Sequence, residues 1–231
     1  LNLFRRVTEI AEERDNTLIS PLSVSLALSM VYNGAAGETR KEMEKAMALS
    51  GLTTDQINQA HRALVEALRS ADPEVKLRIA NAIYYDHILK VREDFVTVNK
   101  KNYDAAVTAL DFKLPEVLGI INGWVNSKTE GKIPTIINQI DKDLVMILLN
   151  AIYFNGIWKS KFGDQDTHNL PFRFGDGSTT EVATMSQETA LEYTSNTLFS
   201  AVHLPYGKGR YRMTVILPNT GKTTADVIAE L

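Results

Sequence analysis

Ser20 stands directly before Pro21 at the head of an apolar segment, and a serine so placed could serve as a nucleophile if a base stood beside it. The four histidines, His61, His87, His168 and His203, show neither base nor metal-ligand spacing, and each reads as a surface or loop residue. The Ser-Pro pair has a simpler role as N-cap and first residue of a helix. Gly221-Lys222-Thr223 has the ending of a phosphate loop, but that motif needs a glycine five residues earlier, where this chain has Ile216. There is no G-x-S-x-G elbow and no H-E-x-x-H pair. Asp141-Lys142-Asp143 mixes charges as a solvated turn does. His61, Arg62 and Arg69 are scattered along one predicted helix and read as a wet face rather than a polyanion site. These residues assemble no catalytic constellation, so the expectation is a protein that is not an enzyme and needs no cofactor and no metal.

What remains is a polar anomaly. Residues 144–154 are apolar except for Asn150. Such a run is too uniform for a strand with one wet face and predicts a central strand buried on both faces, with Asn155-Gly156 and the β-branched and aromatic content favouring strand over buried helix. A buried amide without partners costs about 1–3 kcal/mol, so something polar from elsewhere in the chain should meet Asn150.

Length and composition set the frame. The chain has 231 residues, 44% hydrophobic and 23% charged, which is ample for a core. A net charge of −3 gives no reason to expect nucleic acid or an anionic membrane as partner. No stretch reaches the length of a membrane span. The absence of cysteine rules out disulfides and thiolate chemistry but leaves the compartment open.

The elements that must position Asn150 follow from pattern. Leu3, Phe4, Val7 and Ile10 share a helical face in residues 1–13, and this first helix looks clipped because it opens without a cap. Asp15-Asn16 ends it. The helix after Ser20 carries no charge to Tyr32 and should be buried all round. Thr39-x-x-Glu42 and Thr53-x-x-Gln56 read as capping boxes opening the next two helices. Strands are predicted over 75–85 and 105–112, helices over 92–103 and 115–130, and hairpins over 171–185 and 198–217, with a last helix from Thr224. Asn81-Ala82-Ile83-Tyr84 recurs as Asn150-Ala151-Ile152-Tyr153, as two strands of one sheet in similar surroundings would. No low-complexity linker divides the chain, and one α+β domain over 1–231 is expected.

Several separated motifs, in collinear order, resemble the serpins, the serine-protease-inhibitor superfamily. They are Asn16-Thr17-Leu18-Ile19-Ser20-Pro21-Leu22-Ser23, Asn33-Gly34-Ala35-Ala36-Gly37-Glu38-Thr39, Ile121-Asn122-Gly123-Trp124-Val125 with Thr129-x-Gly131-Lys132, and Asn150-Ala151-Ile152-Tyr153-Phe154-x-Gly156-x-Trp158 with Phe162. Thr184-Met185, Leu204-Pro205-Tyr206 and Leu217-Pro218 also fit.

The resemblance implies the serpin fold, a large central β-sheet with two further sheets and surrounding helices, here as an N-terminal portion incomplete at its C-terminus. It implies an inhibitor that traps serine proteases, or cysteine proteases as a second class, when its cleaved reactive loop inserts beside strand 144–154. By the same resemblance Ser20, Ser23 and Asn150 would form the shutter under the sheet and Trp158 would mark the breach. Asn122, Trp124 and Thr129 would belong to the helix over the sheet face. The reactive bond and the family's C-terminal portion are not in this chain, and that portion is expected as a separate chain or segment beside it. A non-inhibitory carrier, chaperone or storage serpin is the alternative, and secretion is the family's usual setting.

Overall fold

The computed structural model describes residues 2–10 and 16–230. The first predicted helix is α1 (Asn2–Ile10), and the remainder of that prediction, with Asp15, lies outside the described residues. The chain forms two compact units, one of Asn2–Ser70 with Leu77–Phe154, the other of Ala71–Lys76 with residues 155–230.

In the first unit, α2 (Pro21–Tyr32) starts as the Ser-Pro pair dictates, with the Ser20 side chain accepting from the Ser23 N–H. It is buried on one side rather than all round. Leu26, Ser29, Met30 and Tyr32 are enclosed while Leu28 is 41% exposed, so the lack of charge on this helix exceeds what its packing among the described residues uses. α3 (Gly37–Ala46) begins two residues ahead of the expected Thr39 box, from Ala36, which offers no capping side chain. α4 (Thr54–Ser70) does begin with its box: Thr53 N–H donates to Gln56 Oε1 at 2.9 Å and Gln56 N–H to Thr53 Oγ1 at 3.2 Å.

β1 (Val75–Asp86), α5 (Glu93–Tyr103), β2 (Ala105–Leu110), α6 (Glu116–Lys128) and β3 (Met146–Gly156) follow, close to the predicted ranges. Their sheet has the order β2-β1-β3, with β1 and β2 parallel from Asn81↔Ala105 to Asp86↔Leu110. Alternation along the strands splits the core in two. Ile79 and Ile83 of β1 and Met146, Leu148 and Ile152 of β3 pack with Leu26, Met30 and Tyr103 from the α2 and α5 side. Ala82 and Tyr84, with Ile147 and Leu149, pack with Val117 and Ile121 of α6 on the opposite face. Both faces of β3 thus carry packed side chains, but the run is half-buried rather than buried, and Leu144, Val145 and Phe154 are exposed. Among the described residues β3 pairs with β1 alone, which leaves its other edge unpaired, as expected of a chain that lacks the family's C-terminal portion, and within it Ala151 alone is fully buried. A continuous apolar run reports two covered faces and is blind to which neighbours flank the strand.

The second unit holds the antiparallel pair β4 (Thr167–Arg173) and β5 (Thr179–Met185), then the sheet β6-β7-β8. Its strands are β6 (Glu192–Ser195), which sequence pattern did not reveal, β7 (Phe199–Tyr206) and β8 (Tyr211–Pro218), and α7 (Thr224–Glu230) closes the described chain. The turn between β7 and β8 wraps a buried carboxylate. Asp72 accepts from the N–H groups of Lys208 (2.7 Å), Glu74 (3.0 Å) and Arg210 (3.4 Å), while Lys208 Nζ pairs with Glu74 at 2.5 Å. Gly207 has φ +47°, and a Cβ there would lie 2.7 Å from Asp72 Oδ1, so glycine is required twice over. Burial works against the Asp72 charge, but the three backbone donors and Lys208 hold its carboxyl below the usual range.

A depressed carboxylate contributes stability above its unfolded pKa and loses it as pH falls through the folded value. Asp72→Asn is expected to destabilise the protein at pH 7. The gap between parent and variant should narrow from about pH 4, the ordinary Asp value, downward. Urea titrations of both proteins at pH 7 and pH 3 check this.

Candidate functional site: a polar core beneath the sheet

Asn150 projects from β3 on the side of Met146, Leu148 and Ile152, toward the helices. Its Nδ2 donates to Asn81 Oδ1 at 2.7 Å, and Asn81 Nδ2 donates to the Tyr103 carbonyl at 2.7 Å. Asn81 is 3% exposed. The two copies of the Asn-Ala-Ile-Tyr echo thus lie on neighbouring strands, and their asparagines bond to each other. Asn150 Oδ1 is buried and has no hydrogen-bond partner among the described residues.

The polar path continues into the helices. Tyr103 O–H donates to Asn58 Oδ1 at 2.7 Å, and Asn58 Nδ2 to Asn33 Oδ1 at 2.9 Å. Asn33 Nδ2 is 3.3 Å from Asn99 Oδ1, and Asn99 Nδ2 caps the Phe95 carbonyl at 3.0 Å. Burial pushes the Tyr103 phenol up to about 12, against the opposing hydrogen bonds of Ser29 and Asn33, so it stays neutral and keeps donating. His61 joins this network and is half-buried on α4, not in a loop. Its Nδ1 lies 3.0 Å from the Ile57 carbonyl, which can accept only. Nδ1 therefore carries a proton, and Nε2 lies 3.1 Å from the Ser25 hydroxyl.

Ser20 and Ser23 bond to each other rather than to Asn150, the Ser23 hydroxyl donating to Ser20 Oγ at 2.9 Å. On α6, Asn122 holds the segment that follows the helix. Its Nδ2 donates to the Ile137 carbonyl at 2.8 Å, and its Oδ1 accepts from Ile136 and Ile137 N–H at 2.8 and 3.1 Å. Thr129 is buried and bridges Val125 O (2.9 Å) and Ile133 N–H (3.1 Å). Trp124 is half-buried against the Ala82–Tyr84 cluster, with Lys128 Nζ 6.0 Å from its ring. In the other unit, Trp158 stacks on Tyr206 at 4.2 Å and meets Phe162 edge-on at 6.2 Å. Lys159 N–H to Pro205 O and Gly207 N–H to Ile157 O, both 2.8 Å, brace that stack.

Sequence reasoning singled out Asn150 and found its partner's sequence echo, but missed Asn58, Asn99 and Tyr103. Each sits in an ordinary amphipathic helix, and their meeting depends on how α4 and α5 pack.

Residues 1–231 match the family described as Serpin (serine protease inhibitor). The chain is 34% identical over 239 aligned residues to antithrombin-III of Mus musculus, covering all of this chain and 51% of that protein. It is 30% identical over 233 residues to corticosteroid-binding globulin of Oryctolagus cuniculus, covering 99% of this chain and 60% of that one. An Arabidopsis serpin solved in its native stressed conformation superposes with a TM-score of 0.89 at 27% identity, over 99% of this chain and 61% of that one. The chain thus spans about half the length of the first of these relatives.

Asn81 serves two partners and Asn150 one, so the two substitutions should differ. Asn150→Ala is expected to destabilise by about 1–3 kcal/mol. Asn81→Ala should cost more, since it strands both the Tyr103 carbonyl and the Asn150 amide. A double-mutant cycle read by denaturant unfolding should give a coupling of about 0.5–3 kcal/mol, and additive effects would show that the bond carries no weight.

Proposed function

The chain belongs to the serpin family, and we propose from that premise that the protein it represents is an endopeptidase inhibitor acting by suicide-substrate trapping. The target, a serine or cysteine protease, cleaves an exposed reactive loop, and the cleaved loop adds as a strand beside β3. The protein supplies no catalysis of its own. The sheet order is the observation that carries this reading: among the described residues β3 pairs with β1 alone, and side chains pack on both its faces, so a strand entering beside it would extend a sheet already lined on both sides.

Other features support the same motion. The α6 face of β3 is held by side-chain packing, which can slide. The opposite face is tied through Asn150 to Asn81, a single hydrogen bond that can exchange partners. The unsatisfied Asn150 Oδ1 still calls for a donor, which fits a shutter role for Asn150 in which part of the polar set comes from the family's C-terminal portion. Ser20 and Ser23 would belong to that set as the groups under the sheet. Trp158 would mark the place where insertion begins, and α6, with Asn122, Trp124 and Thr129, would yield to it. That C-terminal portion, as a further segment or a separate chain, is the proposed partner of the β3 edge until the cleaved loop enters between them, and a bare edge would invite aggregation.

Similarity to corticosteroid-binding globulin, whose name describes a carrier, favours a second, non-inhibitory reading. Both are tested on the full-length protein with a panel of serine and cysteine proteases. An inhibitor gives complexes that survive boiling in detergent, and cleavage of its reactive loop raises the unfolding temperature markedly. Cleavage without complexes at any protease, and without a gain in thermal stability, establishes the non-inhibitory reading instead.

A further inference from the structure

At the far end of β1 the parallel pairing assembles a second polar cluster, separate from the asparagine path. Asp86 is the last residue of β1, His87 follows it, and Asp111 follows β2, whose register ends at Asp86↔Leu110. One ligand atom from each of the three lies within 4.8 Å of the others. His87 Nδ1 is 3.4 Å from Asp86 Oδ1 and 3.9 Å from Asp111 Oδ1. The Asp86 side chain is 8% exposed and His87 is 53% exposed, so the site has a buried wall and an open mouth.

We propose that Asp86, His87 and Asp111 bind one first-row divalent cation of the zinc class. The donor set is two carboxylates and an imidazole, and it is the imidazole that separates it from an ordinary acidic surface cluster. Calcium asks for six to eight oxygens and magnesium for an octahedron of them, whereas zinc takes imidazole and carboxylate together and three protein ligands with water in the fourth place. Zinc–ligand bonds of about 2.0–2.2 Å in a tetrahedron put donor atoms about 3.4 Å apart. The Asp86–His87 pair already has that spacing and the His87–Asp111 pair is wider at 3.9 Å. The two carboxylates lie within 4.8 Å of each other, so closing the tetrahedron also takes a turn of the half-exposed Asp111 side chain.

The carboxylates are also held in place. Asp86 Oδ1 accepts from Ile88 N–H at 3.0 Å and Oδ2 from Phe112 N–H at 3.3 Å, while Asp111 Oδ1 accepts from Lys113 N–H at 3.1 Å. Each oxygen keeps a second lone pair for an ion. An ion here would clamp β1 to the end of β2, next to where Asp86 N–H meets the Val145 carbonyl at 2.9 Å and His87 N–H the Leu110 carbonyl at 2.8 Å. Binding the folded state alone, it would stabilise the sheet.

The test uses full-length protein stripped with a chelator. Calorimetric titration with zinc chloride should show one saturable site, visible absorbance with cobalt(II) should develop a four-coordinate band, and zinc should raise the unfolding temperature. His87→Ala and Asp111→Asn, both at the surface, should each weaken binding at least tenfold and remove the cobalt band while keeping the parent circular dichroism. Zinc affinity equal to the parent's in both variants places the ion elsewhere and overturns the proposal. Absence of saturable zinc binding by the parent leaves a proton-bridged ion pair and overturns it too.

Discussion

The bond between Asn150 and Asn81 is the constraint on which the sheet depends. An amide on an otherwise apolar strand must be met by another polar group, and here it is met by the neighbouring strand rather than by solvent. This fixes register as well as energy. A slip of one residue would turn Asn150 to the face of Ile147 and Leu149, against the α6 cluster, and would orphan Asn81 as well. An unmade buried hydrogen bond costs about 1–3 kcal/mol against a total stability of about 5–15 kcal/mol for a typical domain, so alternative registers are strongly disfavoured.

The two faces of this sheet are held by different physics. On the α6 face the contacts are apolar: Val117 and Ile121 against Ala82 and Tyr84. Such packing is strong in sum and non-directional, so a helix can shift across it without leaving polar groups unpaired. The directional bonds of Asn122 and Thr129 act within the helix and the segment after it, keeping that piece together as a body. On the opposite face the contacts include directional bonds: Asn81 holds the Tyr103 carbonyl, and at the far end of that side chain the Tyr103 hydroxyl, Asn58 and Asn33 bond in turn, so a displacement must re-pair the groups it parts.

The local signals in the chain were legible wherever chemistry and geometry are local. The Ser20-Pro21 start, the Thr53–Gln56 box, strands expected over 75–85 and 144–154 and found within a residue or two of those bounds, and both hairpins followed from spacing alone, because caps, turns and alternation are set by neighbouring residues. The Thr39 box failed because Gly37, at φ +57°, lets the chain enter α3 from Ala36, and no capping side chain is needed. His61 was misread for a related reason: its environment is made by Ser25, on another helix, and by Tyr103, on a third. The spread-out motifs did identify the family, since collinear matches over the whole chain do not need contact information to be specific.

The sequence by itself determined that Asn150 needed a polar partner, that strands 75–85 and 144–154 shared a chemistry, and that residues 121–129 and 150–158 carried serpin motifs. The tertiary structure decided that the partner is Asn81, that Asn81 meets the Tyr103 carbonyl while the Tyr103 hydroxyl joins Asn58 and Asn33, and that β3 pairs with β1 alone among the described residues. It also decided that Asp86, His87 and Asp111 converge. The reason is the same in each case. A residue's own pattern reports how much of it is covered, but which group covers it depends on strand order and helix packing, and these join positions far apart in the chain.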